Sequence, residues 1–128
     1  DMGHGVLEAL LAASPICKTK PEDILVWLGP CIGPAAFEVG AEVVAAFCDG
    51  DAAAAGLFKP MPNDKWLADL PGLARLRLHS LGVTRVYGND GDAAWCTVTQ
   101  ASTFFSHRRD SPVFGHSGRM AACIWLGS

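Results

Sequence analysis

Five consecutive apolar residues, Ile24-Leu25-Val26-Trp27-Leu28, stand between Glu22-Asp23 and Gly29-Pro30. A run of that length with turn residues at both ends suits a strand buried on both faces, the hallmark of a central strand in an α/β protein. Ahead of it, Val6, Leu7, Leu10 and Leu11 recur at helical spacing over Gly5 to Ala13, and Pro15 ends that helix near Ser14. Helix followed by buried strand predicts an α/β fold in which helices flank a layered, mixed sheet. With 128 residues, residues 1–128 make one unit rather than two.

Downstream, Phe37, Val39, Val43, Val44 and Phe47 alternate with Glu38 and Glu42, which predicts a helix from about Phe37 to Cys48. Asp51 to Pro62 is rich in Ala, Gly and Pro and reads as a connection with room for a helical turn. Asp69 can cap a long helix with Pro71 in its first turn, Leu70, Leu73, Leu76 and Leu81 on its apolar side, Arg75 and Arg77 in water, and Gly82 as its stop. Val83 to Tyr87 reads as a strand and Gly88 to Asp92 as a loop. A further strand is expected from Trp95, and Met120 to Leu126 is dense enough in apolar residues for a buried closing strand.

The chain is 50% hydrophobic and 18% charged with a net charge of −3. No Lys/Arg run exists to attract a nucleic-acid backbone, and no apolar run approaches the roughly 20 residues of a membrane span. The first residues lack the zones of a secretory signal, so the cytoplasm is expected. Five cysteines, an odd number without a C-x-x-C pair, predict reduced thiols, with Cys48 and Cys123 as small core residues and Cys17 in a loop. The helix-like pattern begins almost at Asp1, which points to the later part of a longer chain.

Arg108, Arg109 and Arg119 are three of only ten cations. A guanidinium is a planar fork of donors suited to carboxylate or phosphate, and Phe104 or Phe105 beside it can stack on a base. For Arg108 and Arg119 ligand contact and a solvated or ion-paired role stand level, whereas Arg109 reads as solvated or paired with a carboxylate. His107, His116 and Cys123 have metal-binding atoms but fit no zinc spacing, and His4 and His79 read as surface histidines. Cys31 with His107 has no positive support as a nucleophilic pair. Gly29 to Gly33 is neither a P-loop nor a dinucleotide turn, although it leaves a strand end where α/β sheets place ligands.

Taken in order, Leu28-Gly29-Pro30-Cys31-Ile32-Gly33-Pro34, Phe37-Glu38-Val39-Gly40, Cys96-Thr97, Phe104-Phe105-Ser106-His107-Arg108-Arg109-Asp110 and Gly118-Arg119-Met120-Ala121 resemble the YfiH family across nearly the entire chain. The resemblance implies a YfiH-like fold, here the C-terminal portion of the domain. It also implies a zinc-dependent purine nucleoside phosphorylase with adenosine deaminase activity, from a family once described as copper-dependent polyphenol oxidases with a laccase domain. The family's zinc ligands lie in its N-terminal half. Its His-Ala-Gly-Trp-Arg-Gly motif is absent here, His4 does not match the motif histidine, and Cys31 does not match the catalytic cysteine. No catalytic or metal residue is therefore assigned to this chain, and no copper ligand set is present.

On the same footing, Arg108 and Arg119 are the expected anion or base contacts, Phe105 and Ser106 the pocket lining, and Gly29 to Gly33 a backbone wall, for a purine nucleoside and phosphate. Ser111 to Ser117 lengthens the family's usual link before Gly118-Arg119. The isolated 128 residues are expected to be inactive and to expose apolar faces that a missing half, or self-association, would cover. The competing expectation is a complete non-catalytic module that binds a small molecule or serves in assembly.

Overall fold

The computed structural model of the protein describes residues 19–125. The expected first helix, the loop thiol Cys17 and His4 lie outside the described residues, as does Leu126. Strand β1 (Leu25–Leu28) pairs in parallel with β5 (Arg85–Gly88), Leu25 opposite Arg85 and Leu28 opposite Gly88. A second sheet is antiparallel, with β2 (Glu38–Gly40), β4 (Lys65–Ala68) and β3 (Phe58–Met61) in the order β2-β4-β3. Helices α1 (Ala41–Cys48), α2 (Leu70–Ser80) and α3 (His107–Phe114) complete the regular elements, with short 3-10 turns at Pro21–Asp23, Ala52–Leu57 and Ala93–Trp95. Helices flanking parallel and antiparallel sheets meet the α/β expectation. None of the described helices is long and apolar enough to cross a membrane.

The core gathers where α1 and α2 meet the antiparallel sheet. Val39, Ala54, Phe58, Ala68 and Leu73 are buried together, and Phe37, Val43, Phe47, Trp66 and Leu76 pack around them. Helix α2 starts as its sequence predicts: the Asp69 carboxylate accepts from Gly72 N at 2.9 Å, and Pro71 occupies the first turn where its missing N–H costs nothing. The same helix then joins the two sheets. Leu73 enters the core, while Arg75 donates to Val86 O (3.1 Å), Gly88 O (3.4 Å) and Asn89 O (2.9 Å), gathering the carbonyls at the end of β5. Arg75 is thus half-buried and bonded, not in water as expected.

Other expectations change for physical reasons. Phe37 to Gly40 is not helix: Glu38 faces out, Val39 in, and Glu38 pairs with Leu67, so a period of two wins and Gly40 serves as the N-cap of α1. The connection after Asp51 contains the predicted turn and also β3. The hairpin to β4 turns through Asn63 (φ 62°) and Asp64 (φ 54°), residues that tolerate left-handed backbone. No strand begins at Trp95, which ends a 3-10 turn capped by Asp92.

Residues 120–125 are exposed coil rather than a buried strand, with Ile124 at 85% and Trp125 at 80% exposure, and Cys123 is exposed rather than a core thiol. Apolar density there signals a need for cover that the described residues do not supply. The same holds for β1, whose Leu25 and Trp27 share an exposed face with Tyr87 because, among the described residues, its sheet has one other strand. Cys48, by contrast, packs against the core as expected.

Candidate functional site

The loop from Gly29 leaves the C-terminal end of β1 and is sewn to the turn around Cys96. Cys31 N donates to Trp95 O at 3.3 Å and Thr97 N to Cys31 O at 2.9 Å, so Cys31 and Cys96 form a single parallel bridge. Gly33 lies against Cys96, its N–H donating to the sulfur at 3.2 Å; a Cβ on Gly33 would stand 3.0 Å from that of Cys96, so the glycine is set by close approach. Behind the loop sits Asn89, 1% exposed, whose Nδ2 donates to Gly29 O (3.1 Å) and the Cys31 sulfur (3.4 Å) while its Oδ1 accepts from Gly91 N (2.9 Å). Gly29, Cys31, Leu70, Pro71 and Asn89 line a recess of about 160 Å³. Sequence reading passed over Asn89 as one more turn residue.

Near the end of this loop, at Phe37 and Glu38, lies α3, for which the sequence predicts no regular element. Ser106 is its N-cap, buried, with Oγ accepting from Arg109 N at 3.3 Å. The hydroxyl expected to line a pocket is thus held by the helix start. Adjacent arginines then part company. Arg109 turns inward, where Nη1 donates to Thr97 O (2.7 Å) and Val98 O (3.1 Å), Nη2 to Phe104 O (3.0 Å), and Nε meets the Asp110 carboxylate at 2.6 Å. Its donors are occupied, in line with the paired reading. Arg108 turns outward over the Phe37 ring, 5.6 Å from its centroid, and donates to Glu38 O at 3.1 Å, so it stands exposed at the far end of the Gly33 loop.

Asp110 also accepts from Ser106 N at 2.9 Å. The Arg109 guanidinium first, and then that N–H, hold the Asp110 carboxyl below the usual carboxylate range. A carboxylate with a depressed folded pKa stabilises the fold fully above its unfolded value, about 3.9, and loses that contribution as pH falls through the lower folded value. We expect the melting temperature to drop as pH is lowered from about 5 to below 4, with Asp110→Asn flattening part of that limb. An unaltered limb in the variant, followed by circular dichroism, contradicts the assignment.

The third part of the site is the link after α3. Gly115 closes the helix at φ 75°, and Gly118 then passes so close beneath Phe105 that a Cβ would lie 2.6 Å from its ring atoms. That approach sets Phe105, 54% exposed, against the residue that precedes Arg119. Phe105, Arg109, Asp110, Phe114, His116 and Gly118 border an open recess of about 260 Å³. Neither Arg108 nor Arg119 lines it. Arg119 is exposed beside it and donates to Ser117 O at 3.1 Å, whereas Gly29 borders the separate recess behind the loop.

Phe105 thus stands against Gly118, the neighbour of Arg119, while Arg108 on α3 stands over Phe37 at the end of the loop that holds Gly33. Sequence reading places Phe37 in an apolar stripe and Gly118 in a motif but assigns neither a contact at the site, although a glycine just before Arg119 is the trace a close approach leaves.

The Cys31 thiol has Ile32 O and Asn89 as partners rather than His107, and burial pushes its pKa up, which disfavours a nucleophilic thiolate. Among the described residues, no three His, Cys, Asp or Glu side chains come together as a metal site. The residues described here do not fit the zinc that the resemblance implies.

Comparison with known proteins follows the same residues. A family model described as multi-copper polyphenol oxidoreductase laccase matches residues 2–127. The chain is 50% identical over 122 residues to the protein named purine nucleoside phosphorylase YfiH of Shigella flexneri, covering 95% of this chain and 45% of that protein. For the protein of the same name in Escherichia coli K12 the identity is 48%, with coverage of 95% and 45%. Among solved structures, a Neisseria meningitidis protein superposes with a TM-score of 0.70 at 46% identity, over 84% of this chain and 41% of the other. YlmD of Geobacillus stearothermophilus superposes with a TM-score of 0.66 at 28% identity, over 80% and 38%. The chain thus spans somewhat less than half the length of these relatives. By motif order, by sequence identity and by fold, it belongs to the YfiH-like family of multi-copper polyphenol oxidoreductase laccase domains.

Proposed function

We propose that these residues form the anion- and base-binding wall of a purine nucleoside phosphorylase, in which phosphate attacks the anomeric carbon of the ribose and the purine departs. The observation that carries the reading is identity of 48–50% over 95% of the chain to two relatives named for that activity. Two exposed guanidiniums, Arg108 on α3 and Arg119 beyond its end, support it, because phosphate and the charge developing on a departing base both call for fixed cationic donors. Phe105 offers an exposed ring for stacking on the purine. Ser106 contributes by fixing the start of α3, and the backbone from Gly29 to Gly33 closes one side.

The zinc and the adenosine deamination implied by the resemblance belong, on this reading, to residues other than those described, and no step is routed through a metal here. The exposed faces at Leu25, Trp27 and Tyr87 and at Ile124 and Trp125 support the view that further protein, or a second copy, packs on this wall. The test is release of hypoxanthine from inosine, with and without phosphate, by these 128 residues alone and by a protein of the relatives' full length that carries them. Phosphate-dependent release by the longer protein only is expected. Turnover by the 128 residues unaided, or release indifferent to phosphate, overturns the reading.

A further inference from the structure

Two thiols that the proposed reaction does not use sit on paired residues, Cys31 in the Gly29 loop and Cys96 just after the turn ending at Trp95. Cys31 and Cys96 are direct partners in a parallel bridge. Directly paired residues project to the same side, and adjacent strands lie about 4.8 Å apart. A disulfide spans Cα atoms about 4.4–6.8 Å apart, so the backbone already has the spacing for one. Each sulfur is held by a donor from outside the bridge, Cys31 by Asn89 Nδ2 at 3.4 Å and Cys96 by Gly33 N at 3.2 Å. Access is one-sided: Cys96 is 3% exposed, whereas Cys31 is half-buried and borders the open recess beside Leu70 and Pro71.

We propose that Cys31 and Cys96 form an oxidation site, at which a peroxide closes an intrachain disulfide and ties the Gly29 loop to the turn ending at Trp95. Hydrogen peroxide reaching the recess oxidises the Cys31 thiol to a sulfenic acid and is itself reduced to one water. The Cys96 sulfur, having lost its proton to solvent, then attacks the Cys31 sulfur; the S–O bond breaks and the hydroxide leaves as a second water. Two thiols lose two electrons and two protons in all, and the peroxide accepts them. Access sets that order: the raised pKa of Cys31 slows its reaction with peroxide, but Cys31 borders the recess whereas Cys96 is 3% exposed. Burial raises the Cys96 pKa, but hydrogen bonds from the Thr99 side chain and from the amides of Thr99, Gly33 and Val98 outweigh it and set the thiol below its ordinary value, making it the attacking partner.

The experiment uses the reduced chain, treated with hydrogen peroxide until the exposed Cys123 is oxidised, then denatured, labelled with N-ethylmaleimide and mapped by peptide mass spectrometry. We expect a dithiothreitol-reversible peptide pair joined through Cys31 and Cys96 in most chains, with Cys48 still labelled. In Cys96→Ser, Cys31 should stop at a sulfenic acid that dimedone traps. Maleimide on both Cys31 and Cys96 of the oxidised chain, or separate sulfinic acids on the two, overturns the proposal.

Discussion

Replacing Arg109 with alanine should cost about 3 kcal/mol of stability, because one partly buried side chain satisfies three carbonyls and a carboxylate at once. Its guanidinium bonds the carbonyls of Thr97, Val98 and Phe104 and the carboxylate of its neighbour, and only 25% of the side chain is exposed. Removal leaves three carbonyls without a donor and frees the start of α3 from the turn that carries Cys96. In a chain of this size such a loss lowers the melting temperature by more than about 10 °C at fixed protein concentration. Arg109→Lys restores charge but not the fork, so it should recover only a minor part. A melting temperature within a degree or two of the parent for Arg109→Ala would show that α3 is held by something else.

Phe58→Ala should be comparably severe, at about 3–5 kcal/mol. Phe58 is 6% exposed, touches the cluster of Val39, Ala54, Ala68 and Leu73, and sets its ring 6.0 Å from that of Phe47 on α1. Three of the four cluster neighbours are Ala or Val, so short side chains surround the ring and little can collapse into the space it leaves. Because the total stability of a small domain is only about 5–15 kcal/mol, the variant is expected to unfold well below the parent in urea. A shift of the urea midpoint corresponding to less than about 1 kcal/mol contradicts this account of the core.

Helix α2 was legible because every local signal agreed: Asp69 as cap, Pro71 in the first turn, leucines at helical spacing and Gly82, at φ 83°, as the stop. Strands β3 and β4 were not, since Phe58-Lys59-Pro60-Met61 carries a proline and Lys65-Trp66-Leu67-Ala68 has no alternation to read. Their hairpin exists because Phe58 and Ala68 share the core. Helix α3 was hidden by Pro112 inside it, and is fixed instead by Ser106 and the Arg109 clamp. At the tail, the closing strand expected over Met120 to Leu126 is instead exposed coil across residues 120–125, because the described residues offer those side chains no surface to pack on.

For the site, the sequence singled out Arg108, Phe105 and Arg119 by their chemistry. The sequence separates Arg108 from Arg109 only by favouring a solvated or paired role for the second; two adjacent arginines on a helix point about 100° apart, and the fold shows that it is Arg109 that turns inward to the carbonyls of Thr97 and Val98. Gly118 beneath Phe105, and Asn89 behind the Gly29 loop, are contacts between segments distant in sequence, which no local pattern encodes.

The central claim is that the outward arginine of α3 meets the anion. It is tested most directly by the phosphate-dependent rate of hypoxanthine release from inosine in Arg108→Ala, measured in a protein of the relatives' full length. Because Arg108 is exposed and makes a single hydrogen bond to Glu38 O, the substitution should leave the melting temperature nearly unchanged. It should lower kcat/KM about a hundredfold, with the KM for phosphate raised. An unchanged rate in a protein that still melts like the parent would contradict the account.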